Sequence, residues 1–311
     1  MDGIITINDS RYPSILRSIK DAPKQLYYKG NWPADGEAEI FENCLAVVGS
    51  RRMTTYGKQI AQKLVSQIAS AGLPAGRQGI TIVSGFMYGI DATAHQACLD
   101  VGGRTIAVMP CGIDLITPDY QTKLYRDILE NKGLVISEFE PDQKASNWTF
   151  PVRNKIVAGL SKAVLVVEAG EKSGSLITAK LALKYNRKLF AVPGPLTSVL
   201  SKGTTQLIKE GAEIVSCAED IVRFYNVGAG LVPARINEGN HKGLPLQDSS
   251  NMEQDSSNLE QRIIQELQSE AMEIDVLSRI LGKSVSELGS AISMMQIRGL
   301  VHQENGKYYV C

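Results

Sequence analysis

Four residues that end a short apolar run, Gly49-Ser50-Arg51-Arg52, have the types and spacing to bind an anion. The run before them, Leu45 to Val48, has the character of a buried strand, and a helix-like pattern begins near Tyr56. A strand, a glycine turn and a helix start aim backbone N–H groups and a positive helix end at one point. Gly49 lets the backbone approach closely, and Ser50 and Thr54 add hydroxyls. Arg51 and Arg52 bring charge in a fork that matches phosphate. The turn is neither Gly-x-Gly-x-x-Gly nor the Gly-Lys-Ser/Thr ending of a P-loop, and an ordinary turn with two solvated arginines would look the same.

Three further segments put similar residues at strand ends. Ser84-Gly85 leads into Gly89-Ile90-Asp91, and Arg153-Asn154-Lys155 opens a helix after Pro151. Glu168 is followed by Ser173-Gly174-Ser175 and a helix through Thr178. Each combines glycine, hydroxyl or cationic donors with a helix start. Four on one rim fit an extended track for the phosphates of a single strand better than a pocket for one nucleotide.

Asp91 and His95, four apart, share a helix face. An acid–base pair is conceivable there, but a hydrogen-bonded pair fixing the helix to the sheet is the plainer expectation. No third metal ligand lies near them, and the five cysteines (44, 98, 111, 217 and 311) share no paired spacing. No catalytic residue, metal or cofactor is therefore assigned. Trp148 and Phe150 could stack on bases or pack on the sheet, and Tyr56 reads as a packing residue.

These residues need a frame. Strand-like runs occur at 45–48, 80–83, 104–109, 133–137, 163–168, 188–192 and 213–215. Helix-like segments at 56–71, 89–101, 119–130, 152–160, 175–186 and 204–210 separate them. Strands apolar on both faces and joined by helices predict a parallel sheet covered on both sides. The fold class is α/β, a Rossmann-like doubly wound parallel sheet over 44–226, with its ligand outside the carboxyl ends of the strands. Residues 1–43, with a short helix near Ile15–Ile19 and a strand at Gln25–Lys29, form an extension that packs on this core.

Leu73–Gly79 interrupts a normal helix-to-strand connection and reads as a surface insertion, with a near copy at Ala229–Arg235. Residues 227–257, rich in Gly, Asn, Ser, Asp and Gln, predict a flexible linker. Residues 258–311 carry helical patterns at Leu259–Leu267, Ile274–Leu281 and Val285–Ile297, then a hairpin turning at Asn305-Gly306. That order predicts a C-terminal winged helix-turn-helix domain. Between Ser284 and Arg298 the third helix has only Glu287 and Arg298 as charges, so protein contact or regulation is expected of it before duplex reading.

With 311 residues, 43% of them hydrophobic, the chain can bury a large core and a second small domain. The net charge of zero is unevenly placed, with 21 Lys+Arg against 15 Asp+Glu between residues 45 and 225. The middle is thus mildly basic, as an anion-binding domain should be. Scattered thiols, no basic-then-apolar leader and no apolar run of ~18 residues predict a cytoplasmic protein without a membrane span.

Taken together, the motifs resemble the DNA-processing protein A family (DprA, also called Smf). They are Gly49–Gly57, Ser84–His95, Phe150–Ser161, Ser173–Ala179 and Ala191–Gly194, in family order over about residues 10–226. The resemblance implies a Rossmann-like domain that binds and protects single-stranded DNA, pairs as a homodimer, and loads the RecA recombinase on incoming DNA in natural transformation. By that resemblance Gly49, Ser50 and Arg51 line the DNA pocket, with Arg51 foremost, and Arg153, Lys155 and Ser173–Ser175 follow. The chain departs from the family in lacking the amino-terminal helical domain of longer members, in Met87 where a small residue is usual, and in the extra 73–79.

The competing reading is an enzyme that binds nucleotides or hydrolyses their N-glycosidic bonds. Its Pro-Gly-Gly-x-Gly-Thr helix start is not formed, because Pro193-Gly194-Pro195 and Gly203-Thr204-Thr205 lie ten residues apart. Glu168 is then the one plausible carboxylate, and binding without catalysis is the expectation.

Overall fold

The computed structural model describes residues 2–33, 39–71, 79–131 and 133–227. Further on it describes 259, 262–264, 266–267, 272–284, 288–289, 291–292, 295–296, 300–304 and 307–310. The chain divides into two compact units, Met1–Ala234 and Arg235–Cys311. The expected insertion at 73–79, apart from Gly79, and the expected linker at 227–257, apart from Val227, lie outside the described residues.

The first unit is built on one nine-stranded sheet. Its strands are β1 (Asp2–Thr6), β2 (Gln25–Gly30), β3 (Cys44–Val48), β4 (Thr81–Ser84), β5 (Thr105–Val108), β6 (Leu134–Ser137), β7 (Ala163–Val166), β8 (Lys188–Ala191) and β9 (Glu213–Ile214). The helices are α1 (Ser14–Arg17), α2 (Glu39–Glu42), α3 (Thr55–Ser70), α4 (Ile90–Asp100), α5 (Thr122–Glu130), α6 (Thr149–Gly159), α7 (Ser175–Lys184), α8 (Lys202–Lys209) and α9 (Ala218–Val227). Strand order is β1-β2-β6-β5-β4-β3-β7-β8-β9. From β6 to β9 all neighbours are parallel, whereas β1 pairs antiparallel with β2 and β2 antiparallel with β6. The amino-terminal residues therefore do more than pack on the core, since they extend its sheet by two strands.

Alternation along β3 decides the layers. Cys44, Ala46 and Val48 face a core shared with Leu16, Ile156, Val157, Ala179 and Leu207, which puts α1, α6, α7 and α8 on one side. Leu45 and Val47 face the opposite core with Leu64, Val65, Ile68, Ala94, Ile221 and Tyr225, from α3, α4 and α9. A smaller cluster seats Leu124, Tyr125 and Ile128 of α5 against Ala107 and Val135. Fully burying each such aliphatic side chain is worth about 1.5–3 kcal/mol, so the central strands are held from both faces.

In the second unit, Ile263, Leu267, Leu277, Leu281, Leu288, Ile292, Met295 and Val301 form a separate core. Helix α10 (Ile274–Leu281) ends at Gly282, whose φ of 63° is the left-handed conformation that closes a helix. Strands β10 (Val301–Glu304) and β11 (Lys307–Val310) make the expected hairpin. Among the described residues no helix is long and apolar enough to cross a membrane.

Candidate functional site

The chain leaves β3 for β4 on one side and returns to β7 on the other, so the turns after β3 and β7 diverge at the switch point of the sheet. Between them opens a cavity of about 540 Å³. Gly49, Ser50, Arg51 and Arg52 line it from the β3 turn, and Met87, Tyr88 and Asp91 from the start of α4. Phe150, Arg153 and Asn154 come from α6, and Lys172, Ser173, Gly174 and Ser175 from the β7–α7 turn. The structure thus gathers nine of the twelve candidate residues around one space. Ser84, Gly85 and Lys155 do not border it.

The β3 turn is fixed through its backbone. Ser50 N–H donates to the Glu168 carbonyl at 2.7 Å, and the Ser50 carbonyl accepts Ile90 N–H at 3.2 Å. Arg52 N–H donates to the Ser50 hydroxyl at 3.1 Å. Gly49 is required by close approach, because a Cβ there would lie 2.6 Å from the Ile90 side chain. The start of α3, expected to face the ligand, already holds an anion from the chain itself. Glu168 accepts Thr54 N–H at 2.8 Å and the Thr54 hydroxyl at 2.6 Å, while Thr54 Oγ1 caps Gly57 N–H at 3.0 Å. This corrects the expectation that α3 receives the ligand's charge, and it withdraws Glu168 from the cavity wall.

The cations are what remains open. Arg51, Arg52 and Lys172 are exposed, and among the described residues none of the three pairs with a carboxylate. The Arg51 guanidinium lies 4.7 Å from the centre of the half-buried Phe150 ring, a cation–π contact that holds it at the mouth. Opposite, α7 starts with no acidic residue in its first turn, and a Cβ on Gly174 would meet open space. The Ser173 and Ser175 hydroxyls are 2.8 Å apart there. Lys172 was not among the candidates, although it stands in the same turn as Ser173 and its charge was the available signal.

Beneath the cations lies a buried group. Arg153 donates through Nη1 to the carbonyls of Gly85 and Val108, and through Nε to Asn154 Oδ1 at 3.2 Å. It therefore clamps the ends of β4 and β5 and borders the cavity from below. Burial lowers its pKa to about 10, with nearby Asp91 acting the other way, so it stays charged at neutral pH. Gly85 leaves room for this, since a Cβ would lie 2.6 Å from both Arg153 Nη1 and Asp91 Oδ2. Ser84 donates to the Val47 carbonyl at 2.6 Å and ties β4 to β3. Lys155 forms a largely buried ion pair with Glu138 at 2.6 Å, which neutralises its charge.

Asp91 and His95 do not bond to each other, which corrects the expected pair. His95 Nδ1 lies 2.7 Å from Thr105 Oγ1, whose proton goes to the Ile82 carbonyl at 2.9 Å. Nδ1 must therefore be the protonated nitrogen, and Nε2 is left buried without a partner. Burial pushes the His95 pKa down to about 3, and the Arg153 charge acts in the same direction. Trp148 is 57% exposed with its edge on Phe139, and Tyr56 donates its hydroxyl to the Pro193 carbonyl at 2.7 Å.

A mostly parallel nine-stranded α/β sheet with a second small unit, and a switch-point cavity lined by Arg51, Arg52 and Lys172, define the class of protein. Residues 3–226 match the family described as DNA recombination-mediator protein A, and residues 247–307 match the DprA winged helix domain. The chain belongs to the DprA/Smf family. Protein Smf of Escherichia coli is 33% identical over 305 residues, covering 98% of this chain and 76% of that protein. The DNA processing protein DprA of Bacillus subtilis is 40% identical over 217 residues, 70% of this chain and 69% of that one.

Two solved structures share the fold. The X-ray structure of DprA from Streptococcus pneumoniae superposes with a TM-score of 0.64 at 37% identity, covering 71% of this chain and 73% of that one. The DNA processing protein A structure from Helicobacter pylori, described for its unique single-stranded DNA binding mode, gives 0.61 at 31% identity, covering 72% and 95%.

Proposed function

We propose that this protein binds single-stranded DNA in the switch-point cavity and acts as a recombination mediator. In this reading it protects incoming DNA and loads the RecA recombinase, works as a homodimer in the cytoplasm, and has no catalytic step. The observation that carries it is the convergence of Arg51, Arg52 and Lys172 on one rim with no carboxylate partner among the described residues. Cations left unpaired at a cavity mouth are suited to phosphates, and the exposed ring of Tyr88, which lines the same cavity, offers a surface for an unstacked base. The relative from Helicobacter pylori supports the choice of ligand.

Residues 44–226 form the DNA-binding domain in this account, with 1–43 as its extension. The segment 227–257 joins it to 258–311, the protein-contact domain. Two linked copies gain affinity through effective concentration, so a modest pocket can hold a strand tightly. Hydrolysis of a glycosidic bond fits less well, because both oxygens of Glu168 are engaged by Thr54.

The test uses the whole chain with labelled single-stranded and duplex oligonucleotides of one sequence, followed by fluorescence anisotropy. Recombinase loading is read as RecA ATP hydrolysis on single strands coated with single-strand-binding protein. Preference for the single strand and a shortened RecA lag are expected. Equal binding of duplex, or an unchanged lag, would overturn the corresponding half of the proposal.

A further inference from the structure

Beside the cations Arg51, Arg52 and Lys172, the described lining of the switch-point cavity includes a single carboxylate, Asp91. A negative charge in that wall opposes the binding of phosphate. The contacts of Asp91 show that the charge can be withdrawn.

Asp91 is half-buried in the first turn of α4. Its Oδ2 and both terminal nitrogens of Arg153 lie 2.6 Å from one point, the place of the missing Cβ on Gly85. Carboxylate and guanidinium are therefore no further apart than twice that distance. Met87 N–H donates to Oδ2 at 3.4 Å, and the Ser84 hydroxyl also bonds the carboxyl group. That hydroxyl directs its proton to the Val47 carbonyl at 2.6 Å, which leaves its lone pairs on the side of Asp91. It can share its proton with the ionised carboxylate or accept the proton of the neutral acid. The contact is satisfied in both states.

Among the described residues the charged groups that act on Asp91 are Arg153 from α6 and Arg51 from the β3 turn. The end of β4 contributes Ser84 alone, and His95 on α4 itself stays neutral. Burial lifts the Asp91 carboxyl to about 6, with Arg153 and more weakly Arg51 opposing it.

We propose that strand binding is coupled to the uptake of a proton by Asp91, which makes the cavity a pH-sensitive clamp on DNA. This rests on the single-strand-binding reading above. A phosphate that engages Arg51 offsets one of the two charges favouring the carboxylate and adds a negative charge nearby. Both effects raise the proton affinity of Asp91 when the strand is bound. By reciprocity, protonated Asp91 strengthens binding. Because the bound-state pKa lies above the free-state value, affinity rises as pH falls through the former and levels off below the latter. Asp91 thus regulates the site through Arg51 and Arg153.

The experiment follows anisotropy of a labelled oligothymidine strand, whose bases do not titrate in this range, with the whole chain at fixed salt. Between about pH 8 and about pH 5.5 the wild-type affinity should rise about three-fold or more, as one carboxyl titrates between the two states. Asp91→Asn, a neutral stand-in for the protonated acid, should bind tightly throughout and give a nearly flat profile. The wild type alone separates a carboxyl from a histidine. Carboxyl ionisation absorbs little heat, so its midpoint should stay in place on warming, whereas that of an imidazole falls. Affinity independent of pH in the wild type, or a midpoint that falls on warming, overturns the inference and leaves strand binding intact. A profile that survives unchanged in Asp91→Asn also overturns it. Failure to bind the strand at any pH overturns both readings.

Discussion

Thr54 and Glu168 close the start of α3 between them. The Thr54 backbone N–H and hydroxyl reach the two carboxylate oxygens at 2.8 and 2.6 Å across 114 residues of sequence. The contact joins the turn after β3 to the end of β7 and so fixes the width of the crevice. It also explains Gly57, since a Cβ at that position would run into the Glu168 carboxylate. Replacing Glu168 with alanine should lower stability by about 1.5–3 kcal/mol, the range for hydrogen bonds to a charged group. Urea denaturation measures this, and a loss under about 0.5 kcal/mol, the scale of a neutral surface change, would contradict the closing role.

Gly89 supports the same turn from the other side. Its φ is 87°, and a Cβ would collide with the carbonyls of Ser50 and Arg51. Gly89→Ala should destabilise by more than the ~1 kcal/mol of backbone strain alone and weaken binding by displacing Arg51. Unchanged stability in thermal unfolding would mean that the turn relaxes at no cost.

Arg153 should tolerate no conservative exchange. A lysine ammonium lacks the fork that reaches Gly85, Val108 and Asn154 together. Arg153→Lys is expected to cost about 1.5–3 kcal/mol of stability, with DNA affinity falling as the floor loosens. Full stability with lost binding would instead make Arg153 a direct ligand contact.

Buried His95 and half-buried Asp91 make opposite contributions to stability as pH falls. His95 has a folded pKa of about 3 against 6.5, so the unfolded chain takes up the proton first. Its stabilisation is full above pH 6.5 and is lost from there toward pH 3. Asp91 has a folded pKa of about 6 against 3.8, so the folded state binds the proton first and gains stability on acidification across that window. The slopes therefore oppose each other between about pH 4 and 6. His95→Gln, which can still bond Thr105, removes only the first contribution. The variant should gain stability relative to the parent as pH falls from 6.5 to 4, read by urea denaturation at each pH. Parallel curves would contradict the assignment.

How much of this was legible in the sequence depends on range. Leu45–Val48, Thr55–Ser70 and Ser175–Lys184 follow local patterns, and the strand-then-helix alternation predicted the parallel sheet, whereas its strand order and switch point came only with the structure. Strand β1 escaped because Asp2–Thr6 is short, fully buries only Ile5, and takes its place by pairing with the distant Gln25–Gly30. Helix α9 was also unassigned, although Asp220 accepting from Ser216 and the Ile221–Tyr225 spacing carried a helical signal.

At the site, residue types were legible but partners were not. Lys155 reads as a free cation until Glu138 arrives from the end of β6. The Asp91–His95 spacing gives a shared helix face, whereas Thr105, the actual partner of His95, comes from the next strand. Long-range pairing decides which charges stay open, and periodicity carries no record of it.

The most direct test of the account is the salt dependence of single-strand binding in Arg51→Ala beside the wild type. If Arg51 neutralises a phosphate, the variant should bind at least about ten-fold more weakly at moderate salt. The slope of log affinity against log salt should also be shallower by about 0.7, the value for one contact on a single strand. Unchanged affinity and slope would remove the phosphate site from the switch-point cavity.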